Sequence, residues 1–446
     1  MGEAFFLGLL LATAVAALFR PWIGVIGAYV LAVLTPQAVW WWNFQGLRPA
    51  LWIMVPTLLG FAINYVAGNL RLQPALNKRS LYLAVMWLFF ALSFYFGPYV
   101  NQHPLGHPAW VLDTFNKIFI LYFVGCVCID TPKKATVLAY VMAGTVIYFV
   151  YWANDMYLSG RMTFGRLGGP TGDDYRGVYG DENTFALLFV IGLPFLWHLG
   201  LAVKRNLLRW GLWLVIPFGW HAVFLTGSRG GLVGIGATLA ITALRSKRKS
   251  LALLLIPAFV LAYQWQAGSL MQERAATLSS YETEGSAAGR LQAWAAATGM
   301  IKEHPLTGVG LGSFLDAFSD FSDNKIREAH NTFFQIAGES GLIAGLMYVL
   351  LVVACFSGLW WNGIRLGRLG TESRLRDLYW VNEATLVGFS GFVVCSLFLS
   401  LQMMEFGYYI FLLVNAILYV SRPQEASVAA ALEPPVESGL RGKSAN

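Results

Sequence analysis

The residues best suited to chemistry in this chain are arginines and one histidine placed where apolar stretches end or begin. Arg229 lies between two apolar runs in Thr226-Gly-Ser-Arg-Gly-Gly231, among small neighbours that expose backbone and leave room for a bulky group. An ionisable residue at the mouth of such runs marks a ligand site or snorkels to lipid headgroups. Arg290 opens a helical pattern whose apolar positions are Leu291, Trp294 and Ile301. Arg290 and Trp294 are four apart and share a face; an arginine beside an aromatic ring suits a phosphate or a sugar, or else stacks on its own helix. His330 stands at the start of a long apolar run and is followed by Asn331 and Thr332. A helix N-terminus presents free N–H groups and a positive dipole end to an anion. An imidazole there serves as a general base near neutral pH, its pKa lowered by the dipole or a nearby arginine, or is a satisfied interfacial histidine.

More cations lie in the stretch 153–183, which carries Arg161, Arg166 and Arg176, then Gly180-Asp181-Glu182-Asn183. Guanidinium is always charged and binds phosphate bidentately, so Arg161, Arg166 and Arg176 are candidate substrate contacts or else exposed loop charges paired with nearby carboxylates, the reading that suits Arg161 better; Asn183, Trp294 and Asn331 are further candidate contacts. Asp181, Glu182 and Asn183 are also placed to cap the apolar run that follows. Asp173-Asp174 in a glycine-rich loop is weak metal-ligand chemistry. Cys126, Cys128, Cys355 and Cys395 all sit inside apolar runs as small buried hydrophobes, and no metal or cofactor is expected. Gly308, Gly310 and Gly312 have neither the preceding strand nor the lysine of a nucleotide loop and read as a turn returning the chain to the next apolar run.

The elements that must hold these residues are apolar helices. Hydrophobic residues make up 57% of the chain and charged residues 12%, against roughly 25% charged in a soluble domain. Apolar stretches recur at 4–19, 21–36, 50–68, 81–97, 111–129, 135–152, 184–202, 208–226, 229–244, 250–266, 332–360, 383–401 and 404–421. They are too long, and alternate too little, for barrel strands. The first two meet at Arg20-Pro21 and form two tilted helices or one broken unit. The expectation is an all-α polytopic membrane protein of about 12 transmembrane helices with a large, partly helical extramembrane loop.

Loop charges orient it. Arg71, Lys78 and Arg79; Lys133 and Lys134; Lys204, Arg205 and Arg209; Arg245, Lys247, Arg248 and Lys249; and Arg365, Arg368, Arg374 and Arg376 fall on one set of turns, cytoplasmic by the positive-inside rule. That leaves the 153–183 and 266–331 loops on the opposite, periplasmic side, where Arg229 and Arg290 run against the charge bias and call for a local reason such as an anionic ligand. The divisions are an N-terminal bundle (1–152), a periplasmic loop (153–183), central helices (184–265), a large periplasmic loop carrying the chemistry (266–331), C-terminal helices (332–421) and a disordered cytoplasmic tail (422–446).

Five stretches in order resemble the O-antigen ligase and polymerase superfamily of bacterial envelope glycosyltransferases, most of all its ligase branch. They are Gly180-Asp-Glu-Asn-Thr-Phe-Ala186, Leu225-Thr-Gly-Ser-Arg-Gly-Gly231, Gly289-Arg-Leu-Gln-Ala-Trp294, His304-Pro-Leu-Thr-Gly-Val-Gly-Leu-Gly312 and Ala329-His-Asn-Thr-Phe-Phe-Gln-Ile-Ala-Gly-Glu-Ser-Gly341. The resemblance implies a multi-pass protein of the bacterial inner membrane with its active site facing the periplasm. It implies a donor, O-antigen glycan on undecaprenyl diphosphate, and an acceptor, lipid A–core oligosaccharide, with membrane lipid around them and no nucleic acid. Carried over by motif, Arg229 and Arg290 grip the diphosphate, His330 deprotonates or positions the acceptor hydroxyl, and the anomeric centre inverts without metal or nucleotide.

Rival readings are an O-antigen polymerase, a protein O-oligosaccharyltransferase and, from another class, a transporter of lipid-linked glycans. A transporter favours charges at mid-span in broken helices, whereas here the unusual charges gather at one face.

Overall fold

The computed structural model describes residues 2–39, 49–100, 107–162, 166–170, 179–246, 249–268, 285–369 and 373–432. Among them every regular element is a helix. The N-terminal group comprises α1 (Gly2–Phe19), α2 (Pro21–Leu34), the short α3 (Pro36–Val39), α4 (Pro49–Val66), α5 (Lys78–Phe96), α6 (Pro108–Cys128) and α7 (Pro132–Leu158). Proline opens α2, α3, α4, α6 and α7, in the first turn, where its missing N–H has no intrahelical partner to lose. The central group is α8 (Glu182–Ala202), α9 (Asn206–Thr226), α10 (Arg229–Arg245) and α11 (Lys249–Gln266). Then come α12 (Gly285–Glu303), α13 (Phe314–Phe321), α14 (Thr332–Arg368), α15 (Ser373–Ser396) and α16 (Glu405–Leu432).

Eight of the described helices are long and apolar enough to cross a membrane: α4 to α9, α14 and α15. Helices α1, α2, α10, α11 and α16 coincide with the other expected spans. Burial ranks them. The apolar window of α8 is 100% buried and that of α15 83%, against 22% for α4, so α8 and α15 form the hub and α4 an outer wall. A Cβ on Gly388 of α15 would lie 2.6 Å from the carbonyl oxygen of Ile191 in α8. Small residues of this kind let two helix backbones approach closely where solvent cannot drive packing.

Three features depart from expectation. The run expected as one span over 332–360 is broken at Gly341, whose φ of 86° and ψ of 166° are not helical. The segment 304–312 is more than a turn. It straps across that break, with Val309 N donating to Gly338 O (2.9 Å), Gly310 N to Glu339 O (3.0 Å) and Leu342 N to Pro305 O (2.8 Å), so the carbonyls and N–H groups freed by the break are satisfied. The last helix continues to Leu432, past the expected end at 421, through the alanine-rich stretch Ala429-Ala-Ala431 that favours helix; residues 433–446 lie outside the described residues.

Helices α12 and α13 build a small core of their own from Ala293, Ala297, Met300, Phe314 and Phe318, with Ala329 closing it. The buried face of α12 is therefore set by small side chains. Leu291, expected on that face, is 52% exposed.

Candidate active site

The site is framed by helix N-termini. Asp181 caps α8, its carboxylate accepting from Asn183 N (3.0 Å) and Thr184 N (2.9 Å). The Asn183 side-chain oxygen accepts from Ser228 Oγ at 2.8 Å, and Ser228 caps α10 by accepting from Gly231 N at 3.1 Å. Two helix starts are thus stitched side by side, and Arg229, half-buried, is the first residue of the second. The turn before it depends on Gly227, at φ 62°. Arg166 lies along this turn. Its Nε donates to Thr226 O at 3.0 Å, and Nη1 stands 3.5 Å from the Glu182 carboxylate.

The third N-terminus is that of α14. Asn331 caps it, accepting from Phe334 N at 3.2 Å. The connection between α15 and α16 braces this end. Asn331 Nδ2 donates to Leu397 O (3.2 Å), Thr332 Oγ1 donates to Leu399 O (2.8 Å) and accepts from Leu401 N (3.0 Å), and Ser400 Oγ donates to Gln335 Oε1 (3.1 Å). The same glutamine oxygen accepts from Ala329 N at 3.0 Å. On the other side, Trp294 Nε1 donates to Ala329 O at 2.9 Å, and its ring stacks on Phe334 with centroids 5.6 Å apart. His330 is held between these braces with φ at 47°, one of two described non-glycine residues at positive φ. Such a conformation persists only where the surroundings over-determine it.

Electrostatics join the pieces. Burial lowers the His330 pKa, and the nearby Arg290 and then Arg327 act in the same direction; Asp181 opposes them. Desolvation raises the Glu328 carboxyl, and Asp181 pushes it further, while a hydrogen bond from Ser400 pulls it down. Glu328 is nevertheless exposed. Arg290, Arg327 and Asp181 thus lie within electrostatic reach of His330, and Asp181 within reach of Glu328, around the recess between these helix starts. Asp181 belongs to the cap that, through Asn183 and Ser228, adjoins Arg229.

The expected residues sort accordingly. Arg290 and His330 feel each other's charge directly, and Arg229, Arg166, Asn183 and Asn331 lie on the elements around them. Trp294 and Asn331 make backbone contacts that hold the His330 turn. Arg161 stands apart: it is exposed and bonded to Asp155 and to Ser159 Oγ (2.7 Å) at the end of α7. Arg176 lies outside the described residues. Arg327 and Glu328 are additions, not among the residues singled out from the sequence. A Cβ on Gly289 would lie 1.5 Å from the Nη1 of Arg327, so the glycine before Arg290 is the seat of a second guanidinium. Among the described residues, no group of three or more His, Cys, Asp or Glu side chains is placed to hold a metal ion.

Residues 211–349 match the family model described as O-antigen ligase, a region that contains Arg229, Arg290 and His330. No curated protein matches the chain. The match supports the O-antigen ligase and polymerase superfamily, whose members are glycosyltransferase-like membrane enzymes. The long apolar helices indicate a membrane protein, and the match supports ligase- or polymerase-type function in general.

Proposed function

We propose that the chain is an O-antigen ligase, moving a glycan from undecaprenyl diphosphate to a sugar hydroxyl of lipid A–core on the periplasmic side of the inner membrane. The observation that carries this reading is the placement of an imidazole beside guanidinium groups at a helix start: burial, Arg290 and Arg327 all lower the His330 pKa and so favour its neutral form. A base must be unprotonated to act, and arginines that keep it so are also the groups a diphosphate needs.

In the proposed reaction the acceptor hydroxyl oxygen attacks the anomeric carbon on the face opposite the diphosphate. The new C–O bond forms as the bond to the diphosphate oxygen breaks, and the anomeric configuration inverts. The hydroxyl proton passes to the His330 imidazole. The electron pair leaves on undecaprenyl diphosphate, where Arg229 and Arg290 offset the developing charge. Arg166 extends the cationic wall toward the leaving group, and the positive dipole end of α10 adds to it. The diphosphate is a competent leaving group, so the step calls on no metal and no nucleotide. The loop charge bias supports the periplasmic placement.

The test is transfer by purified protein in detergent, in EDTA and without nucleotide, from undecaprenyl-diphosphate-linked glycan to lipid A–core. Wild type is expected to transfer. His330→Ala is expected to lose about 10²–10⁴-fold in rate, the worth of a general base, and Arg229→Ala and Arg290→Ala about 10²–10³-fold each. Lengthening of the carrier-linked glycan without transfer to lipid A–core would replace the ligase reading with a polymerase, and full activity in His330→Ala would remove the proposed base.

A further inference from the structure

At the other end of the bundle, three helix junctions meet around a cavity of about 250 Å³. Arg20 and Trp22 come from the break between α1 and α2, Asn64 and Asn69 from the end of α4, and Cys128 and Lys134 from the turn between α6 and α7. The catalytic recess is remote. Helix α7 starts at this cavity and runs 27 residues toward the opposite face, roughly 40 Å at 1.5 Å per residue.

The cavity wall carries two cations and no carboxylate. Lys134 is pre-positioned by Asp130 at 2.6 Å. Among the described residues Arg20 forms no ion pair, and its side chain makes no capping bond although it sits at the cap position of α2. The asparagines are fixed in place: Asn64 Nδ2 donates to Gly60 O at 2.8 Å, and Asn69 Nδ2 donates to Asn64 Oδ1 at 3.4 Å. One guanidinium beside a held ammonium is a pair of charged donors suited to a phosphate.

The rim indicates what carries the phosphate. Along α4, Trp52 (47%), Val55 (50%), Leu59 (53%), Ile63 (60%) and Val66 (86%) are exposed, spaced three or four apart, so they form one apolar stripe. The helix that carries the stripe places Asn64 on the cavity wall, beside Phe19, which is 73% exposed. An apolar track leading into a cationic polar pocket has the shape of an amphiphile with a charged head.

We infer that this cavity binds the phosphate of a membrane lipid headgroup between Arg20 and Lys134, with an acyl chain along the exposed face of α4, and that it selects anionic over zwitterionic lipid. Asp130 is already engaged by Lys134, so a choline or ethanolamine cation finds no counter-charge on the wall. A site of this kind anchors the α1–α2 break to the bilayer surface on the face opposite the recess.

The test uses delipidated full-length protein in detergent and reads thermal unfolding as lipid is added. Phosphatidylglycerol is expected to raise the unfolding temperature where phosphatidylcholine does not. The Arg20→Gln/Lys134→Gln double variant is expected to lose that rise, with apparent affinity for phosphatidylglycerol weakened by about tenfold or more. Lys204→Gln/Arg205→Gln, exposed basic residues on the same face, keeps it. Inorganic phosphate is run in parallel. Stabilisation by phosphate alone, lost in the double variant, keeps the anion site but makes its ligand a free phosphate. If the double variant does not fold, Arg20→Gln is read by itself, since Arg20 has no ion pair to lose. Equal stabilisation by both lipids, or a phosphatidylglycerol effect that survives in the variants, overturns the inference.

Discussion

His330 owes its proposed role to its neighbours more than to its type. An isolated histidine titrates at about 6.5; here burial, Arg290 and Arg327 lower that value and Asp181 works against them. A lowered pKa keeps the imidazole neutral further into acid, so the acid limb of the pH–rate profile falls below the ordinary histidine range. Two substitutions should move that limb in opposite directions. Arg327→Gln removes a cation, the His330 pKa rises, and the limb moves to higher pH. Asp181→Asn removes the opposing anion while its side-chain oxygen can still cap α8, and the limb moves to lower pH. The pH dependence of kcat/KM for the two variants beside wild type reads this directly. Limbs that coincide in all three would mean that the titrating group is not His330, whereas a limb that moves in Asp181→Asn alone would point to Glu328, whose carboxyl is raised by burial and by Asp181.

Among the elements, the strap 304–312 and the broken helix α14 account for how a loop and a span form one unit. Gly341 allows the break because of its φ of 86°, and a Cβ there would lie 2.2 Å from the Leu306 carbonyl oxygen. Gly341→Ala therefore meets both a disfavoured backbone conformation, worth about 1–3 kcal/mol, and a clash with backbone that cannot swing away. Thermal unfolding in detergent should show a loss of at least that size, with transfer falling alongside it; an unchanged unfolding temperature would mean that the strap does not bear on stability. This pairing also marks where the sequence stopped being legible. Apolar length alone located the spans, since lipid permits few alternatives to helix, and the helix-start residues Asp181, Ser228 and Asn331 follow from capping chemistry. The glycines at 308, 310, 312 and 341 were visible as spacing, but their partners lie some thirty residues away. Hydrophobic pattern carries no register for such contacts. The same holds for Trp294, which reads as a ligand platform until Ala329 and Phe334 are seen against it, and for the 397–401 brace, which has no charged residue to draw notice.

Taken whole, the molecule hangs its recess on the two most buried helices. α8 carries Asp181 at one end, and α15 ends at the segment that braces the His330 turn. Far from the recess, α15 is tied to α10, the helix that begins with Arg229, by a two-pronged pair: Arg245 Nη2 to Glu383 Oε1 at 2.7 Å and Nε to Oε2 at 3.0 Å. The pair is enclosed. The side chains are 10% and 2% exposed, Trp360 lies under the guanidinium at 4.9 Å, and Gly363 leaves no room for a Cβ, which would fall 2.1 Å from Glu383 Oε1. A basic residue counted in sequence as a free loop charge is therefore a structural tie, and Arg79, hydrogen-bonded to Asn415 at 3.0 Å, is another. Removing one partner of a buried pair leaves an uncompensated charge and costs about 3–5 kcal/mol, whereas replacing both by apolar side chains is often close to neutral. Glu383→Leu should thus lower the unfolding temperature sharply, and Arg245→Leu/Glu383→Leu should recover much of the loss. The recovery separates a paired charge from a packing defect, because a defect would deepen in the double variant. Because α10 also presents Arg229, the single variant should lose transfer even at temperatures where it remains folded, and the double variant should regain it. A Glu383→Leu protein as stable as wild type would mean that α10 and α15 are held in register by packing alone.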